Sequence, residues 1–436
     1  MTQSAKINFV LLLTFFLVSC FGPVKELKYQ IEDSWDETSY DISDPLPLKD
    51  IPNSFTPNVI FSGSFDDNSK RNLKLVHLNN RINYVSQNGS VTSFSFDNNS
   101  TIWKYTHNQD ITSGISGYKD NLFFVDFEGY LVCLSSSGKL NWKSFVGEIF
   151  APPLAIENIV IVRSTNNKFI ALNNIDGSVA WSYKVPSSPL PIRSWGELVE
   201  SNGIIYSGIS SGKVVAINAM NGLLVWESTF SAPHGISEIE RSNDTTSKII
   251  FDDYAIYAVS SKGNVAAISR LDGNVLWSRP LSSFQGMEEF DHSLIITHNS
   301  GSLYRLSKDS NKVLWRNGDL QGRDVSRPFI LKGYIIVSDF EGYLHLLNAT
   351  NGKIESRIRV DDSPLLYPAR ISDEIFISTS INGNFVKISL ADLDHKKNNF
   401  DNKSFDNSDN NYSIKNDIDS VDNNNESLID ALIFWD

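Results

Sequence analysis

Seven histidines and two cysteines are the side chains of this 436-residue chain best suited to nucleophilic, acid–base or metal chemistry, and their spacing gives them no common task. No His-x-His, His-Glu-x-x-His or Cys-x-x-Cys arrangement is present, so the ligand spacings of a zinc site are missing. A phosphate-cradling glycine loop is also missing, and no serine nucleophile elbow is expected. His345 falls inside an apolar alternation and reads as packed or solvated rather than catalytic. The acidic pairs Glu288-Glu289 and Asp361-Asp362 fall near expected loops and read as solvated surface. Cys133 occupies the slot that Ala171, Ala216 and Ala267 hold in sister segments, where a thiol acts as a small apolar group. No catalytic, cofactor-binding or metal-ligating set is expected, and no small-molecule substrate.

The elements that would carry such side chains are repeats. A glycine followed by an apolar alternation recurs eight times, from Gly89-Ser-Val-Thr-Ser-Phe-Ser95 and Gly129-Tyr-Leu-Val-Cys-Leu-Ser135 to Gly342-Tyr-Leu-His-Leu-Leu-Asn348 and Gly383-Asn-Phe-Val-Lys-Ile-Ser389. One copy, Asn167-Lys-Phe-Ile-Ala-Leu-Asn173, replaces the glycine with asparagine. The period is about 40 residues, that of propeller blades. A turn pair and a tryptophan follow in phase: Asp176-Gly177 to Trp181, Asn221-Gly222 to Trp226, Asp272-Gly273 to Trp277. Asp-Gly and Asn-Gly pairs tolerate positive φ and mark hairpins. Each repeat is therefore an antiparallel meander of four strands. One such sheet cannot bury its apolar faces alone, whereas a ring of them can.

The count predicts how the ring closes. Eight third strands are present but only seven outer strands follow them, and the seventh carries Ser356 in the tryptophan slot. The segment Phe55-Thr-Pro-Asn-Val-Ile-Phe-Ser62 precedes the first repeat with nothing of its own to pair with. It is expected to supply the outer strand of the last blade and so remove an exposed sheet edge. The predicted fold is all-β: an eight-bladed β-propeller of four-stranded antiparallel blades over residues 51–392, closed by an N-terminal strand.

The chain ends differ from the repeats. Residues 1–19 read as a lipoprotein signal peptide, with Lys6 ahead of an apolar run from Phe9 to Val18 that is short for a spanning helix. Leu17-Val-Ser-Cys20 resembles a bacterial lipobox, which makes Cys20 the lipidated first residue of the mature chain. Phe21 stands where many lipoproteins kept at the inner membrane carry aspartate. The periplasmic face of the outer membrane is therefore the implied location, by a lipid anchor. Residues 20–50 read as a flexible tether. Residues 393–436 read as an acidic, Asn/Asp-rich disordered tail. Its ten acidic residues and four lysines account for six of the thirteen net negative charges. An acidic chain of this kind argues against nucleic acid as a partner.

The repeat resembles the pyrroloquinoline-quinone-type propeller repeat, with its Ala-Leu-Asn, Asp-Gly and Trp landmarks. That family includes quinoprotein dehydrogenases, many of which carry a vicinal cysteine pair and acidic metal ligands over the central channel. This chain has no Cys-Cys pair. A periplasmic quinoprotein dehydrogenase and a polysaccharide-binding propeller stand as alternative readings. The lipobox, the eight repeats, Ser237-Glu-Ile-Glu-Arg241 with Asp244-Thr-Thr246, and Glu341-Gly-Tyr-Leu-His345 with Val360-Asp-Asp-Ser363 together resemble the BamB family over residues 50 to 390. BamB proteins are lipoproteins of the outer-membrane β-barrel assembly (BAM) complex. The resemblance implies a non-enzymatic scaffold that binds the periplasmic POTRA domains of BamA.

Spacing singles out two connections. Trp181 to Trp226 is 45 residues and Trp226 to Trp277 is 51, against 38 to 41 elsewhere. Insertions on one face of a propeller commonly form its binding surface. In the BamB family a Leu-x-Leu-Arg stretch in the first of these loops and acidic residues in the second contribute to BamA binding. The matching residues are Leu190, Ile192, Arg193 and Asp244. Two aliphatic anchors beside a guanidinium make a sensible contact. Ser194-Trp195 replaces the family's glycine-containing continuation, and one aspartate of the second loop has no counterpart.

Overall fold

Glycines at positive φ and short apolar runs divide the described residues into 32 strands, and hydrogen bonding gathers these into eight four-stranded antiparallel sheets. The computed structural model describes residues 44–64, 75–98, 100–186, 196–232, 243–245, 247–391 and 393. Blades 1 to 7 span residues 76–106, 116–145, 154–184, 199–229, 250–280, 286–317 and 329–359. Blade 8 takes three strands from 369–389 and its outer strand from Asn58–Ser64, as the strand count predicts. In each meander the connections alternate ends. Blade-to-blade connections and second-to-third-strand turns share one face, called upper here; the remaining turns share the lower face.

Second and third strands are buried on both sides, because a sheet on each side covers them. Leu122 to Val125 and Leu131 to Leu134 are all buried. Outer strands such as Val179–Lys184 alternate between exposed and half-buried. Opposite each tryptophan sits a small residue in most blades: Ser93, Cys133, Ala171, Ala216 and Ala267. This is the small-residue slot that Cys133 shares. Its buried thiol has a pKa pushed up by burial to about 11, so it stays protonated.

The turn glycine and the tryptophan of the repeat meet across blades. Each indole N–H donates to a carbonyl at the next blade's lower turn: Trp103 to Ser136, Trp142 to Asn174, Trp181 to Ala219, Trp226 to Arg270, Trp277 to Lys308 and Trp315 to Ala349, at 2.8–3.2 Å. The ring then lies on the turn glycine. A Cβ at Gly222 would sit 2.5 Å from the Trp181 ring, and φ there is +73°.

Blade 7 carries Ser356 instead, and the N-terminal segment completes that seam. Residues 44–50, placed in the tether by the sequence reading, lie against blades 6 and 7: the Leu46 N–H donates to Gln321 O, and Arg357 Nη1 donates to Lys49 O. Ser356 Oγ donates to Phe55 O at 2.7 Å, and the Phe55 ring packs edge-on to Tyr334 at 5.0 Å. Lys387 Nζ then joins blade 8 to blade 1 by donating to Phe96 O at 2.9 Å.

Candidate partner-binding face

Alternation of strand directions puts the described ends of both long connections, from blade 3 to 4 and from blade 4 to 5, on the upper face. Leu190, Ile192 and Arg193 lie outside the described residues, as does Cys20. The points where the connections rejoin the ring are described, and buried charge holds them.

Asp244 is buried, at 2% exposure. Its Oδ1 accepts from the Ser211 N–H at 3.0 Å, and its own N–H donates to Ser261 Oγ at 3.1 Å. Asn243 Nδ2 donates to Ser231 O, and the Thr245 N–H donates to Ile209 O. Residues 243–245 thus clip the upper turns of blades 4 and 5 together. Gly208 must lack a side chain, because a Cβ there would meet Thr245 Cγ2 at 2.1 Å. The structure gives Asp244 a positioning task within the ring.

Arg163 is the residue that sequence reasoning missed here. It is buried at the end of the second strand of blade 3, where Nη1 donates to Gly208 O at 2.7 Å and Nη2 to Gly196 O at 3.2 Å. Burial lowers its pKa to about 10, and the Asp244 carboxylate opposes that shift. The available signal was register: Val85, Val125 and Val259 hold the equivalent place in blades 1, 2 and 5.

A second, largely buried cation crosses the ring axis. Arg327 precedes blade 7. Its Nη1 lies 3.3 Å from Glu197 Oε1 ahead of blade 4, and its Nη2 pairs with Glu288 of blade 6. Its guanidinium stacks 4.6 Å from the ring of Tyr367, ahead of blade 8, and the Tyr367 hydroxyl donates to Glu288 at 3.2 Å. Burial alone would lower the Arg327 pKa, but Tyr367, Glu288 and Glu197 together raise it, so it stays charged. Blades 4 and 8 stand opposite each other in a ring of eight, so this cluster bridges the central channel. Its carboxylates are committed to the guanidinium. Among the described residues no group of three His, Cys, Asp or Glu could hold a metal ion.

One sequence expectation needs amendment, and one motif needs its structural setting. Glu288-Glu289 lies in the strand Gly286–Phe290, where Glu288 faces Arg327 and Glu289 pairs with Lys308. Gly208-Ile-Ser-Ser-Gly212 does have the Gly-x-Ser-x-Gly spacing. It joins two antiparallel strands rather than a strand to a helix, and Ser210 is buried and accepts from Asn167 Nδ2 at 2.9 Å. It is a turn. His345 is fully buried between Asp339 and Arg357, which makes it the packed one of the two places its strand position left open.

Comparison with known proteins agrees with this architecture. The profile of a family described as outer membrane protein assembly factor BamB matches residues 87–317. The BamB of Burkholderia pseudomallei is 28% identical over 74% of this chain and 85% of its own length. The crystal structure of BamB from Moraxella catarrhalis superposes with a TM-score of 0.71 at 22% identity, over 77% of this chain and all of that one. The quinohemoprotein alcohol dehydrogenase of Comamonas testosteroni superposes at 0.65 with 11% identity, over 79% of this chain and 78% of that one, a likeness of fold alone. The family profile covers more than half of the sequence, and the chain belongs to the BamB family of outer membrane protein assembly factors.

Proposed function

We propose that this chain is a non-enzymatic scaffold of outer-membrane protein assembly. It is held at the periplasmic face of the outer membrane by lipid on Cys20 and binds the POTRA domains of BamA within the BAM complex. The observation that carries the reading is family membership joined to the described ends of both long connections, which leave one face of the ring and are set in buried charge. Leu190, Ile192 and Arg193 make the direct contact. Asp244 contributes from beneath, by fixing the second connection to blades 4 and 5.

Capture of purified BamA periplasmic domains tests it. Arg193→Glu should lower affinity more than tenfold, on the order of 2–5 kcal/mol for a desolvated charged contact, and leave the thermal melt nearly unchanged. Leu190→Ala should act in the same direction. Undiminished capture by both variants would place the interface elsewhere.

A further inference from the structure

Blades 2 and 7 carry the same hexapeptide at their upper turns, Asp126-Phe-Glu-Gly-Tyr-Leu131 and Asp339-Phe-Glu-Gly-Tyr-Leu344. Both turns are built alike. The aspartate Oδ1 accepts from the tyrosine N–H, at 2.8 Å in blade 2 and 3.0 Å in blade 7. The phenylalanine N–H donates to Asp110 O in blade 2 and to Arg323 O in blade 7. Three residues later, Ser113 Oγ and Ser326 Oγ accept equivalent strand N–H groups. Asp110 and Arg323 therefore occupy the same place.

In blade 7 the arginine completes the turn. Its guanidinium lies 5.2 Å from the Phe340 ring, donates through Nε to Asp339 at 2.8 Å and pairs through Nη2 with Glu341. In blade 2 the buried Asp126 is served by His107 Nε2 at 3.0 Å instead. Phe127 is left 68% exposed, and the Glu128 carboxylate accepts from the neutral Gln109 side chain. Phe145, 65% exposed, ends two residues before Gly147, whose N–H donates to Gly129 O. The connections and turn around this patch, residues 107–115, 126–129 and 146–153, hold Asp110, Asp126, Glu128 and Glu148 and neither lysine nor arginine, and the nearby Lys143 is set over the Tyr130 ring at 4.8 Å.

We propose that Phe127, Glu128 and Asp110 form a docking site for an arginine side chain on a basic segment of a partner protein, seated as Arg323 is seated in blade 7. A guanidinium suits the place because it is planar, stacks on an aromatic face and forks onto a carboxylate. The site lies on blades 1 and 2 and does not depend on the loops of residues 185–198 and 230–249.

The test titrates the full chain with a fluorescein-labelled peptide of alternating arginine and leucine, read by anisotropy, beside lysine and citrulline versions. The arginine peptide should bind, the lysine peptide several-fold more weakly and the citrulline peptide not measurably. Phe127→Ala and Glu128→Gln should each weaken binding roughly three- to tenfold with an unchanged melt, since both side chains are exposed. Asp110→Arg supplies the guanidinium from the chain itself and should abolish binding, while the charge-matched Asp324→Arg on the blade 6–7 connection leaves it intact. Equal binding of the arginine and lysine peptides, undiminished binding to Asp110→Arg, or no binding to the unaltered chain would each overturn the proposal.

Discussion

Replacing Phe55 by alanine tests how the ring is closed. The six seams between consecutive blades 1 to 7 and the seam from blade 7 to blade 8 differ in kind. The six use an indole on the next blade's turn, whereas blade 7 presents Ser356 to the incoming chain. Phe55 is 6% exposed and packs on Tyr334 at 5.0 Å with the rings at 63°. It also places Ser54, whose N–H donates to Glu355 O, and leads into the strand Asn58–Ser64, which pairs with Asn384–Ser389.

A buried phenylalanine truncated to alanine costs about 3–5 kcal/mol. The edge-on aromatic pair accounts for about 0.5–1.5 kcal/mol of that. Ser356→Ala removes one hydrogen bond to a buried carbonyl and should cost about 1–3 kcal/mol. Urea unfolding, with the slope compared between variants, measures these values. A double-mutant cycle of Phe55→Ala with Tyr334→Ala isolates the aromatic pair. Loss of under about 1 kcal/mol for Phe55→Ala would show that strand pairing alone closes the ring and that the Phe55 contact is incidental.

Acid should destabilise the ring through His345. Burial, with Arg357 and Arg323 nearby, lowers its imidazole below the ordinary 6.5, although Asp339 pulls the other way. The unfolded chain then takes up the proton first, so this contribution is present above about pH 6.5 and is lost as pH falls toward the folded value. The urea midpoint should fall between about pH 7.5 and about pH 5.5, and His345→Gln should flatten that slope; an equal slope in the variant would refute the assignment. Cys20→Ala should release the protein from washed membranes prepared without BamA, and retention of the variant there would contradict lipid anchoring.

The architecture was legible because its signals are local and repeated. Turn glycines, strand alternation and the tryptophan slot recur within each repeat, and the surplus third strand predicts a donated outer strand. The contacts that fasten the blades were not legible, because they join residues of different repeats. Trp181 meets Ala219 at a separation of 38 residues, and Arg327 meets Glu197 at 130. Nothing in the local pattern around Arg327 marks it as the residue that crosses the channel. The serine at 356 is visible as a departure, but the phenylalanine that compensates lies 301 residues away. Glu288-Glu289 misled because adjacent acids suggest a solvated loop. In a strand, alternation sends the two side chains to opposite sides, and each found a cation.

The distribution of buried charge follows from the geometry of a ring. Apolar side chains fill the space between neighbouring blades, where facing sheets run close. The axis of eight blades is wider, and atoms there have neighbours only across a gap. A long side chain with several donors is suited to such a gap, since one guanidinium can engage partners on three or four blades at once. Arg327 does this for blades 4, 6, 7 and 8, and Arg163 of blade 3 ties its own blade to Gly208 of blade 4 and to Gly196 ahead of it. A buried charge that loses one partner leaves the rest unpaired at a cost of about 3–5 kcal/mol. These clusters therefore resist rearrangement more than an apolar contact would. The connections that rejoin the ring at Gly196 and Asn243 are thereby referenced to more than one blade. If the proposed partner grips these connections, it meets a surface whose described supports are shared between blades.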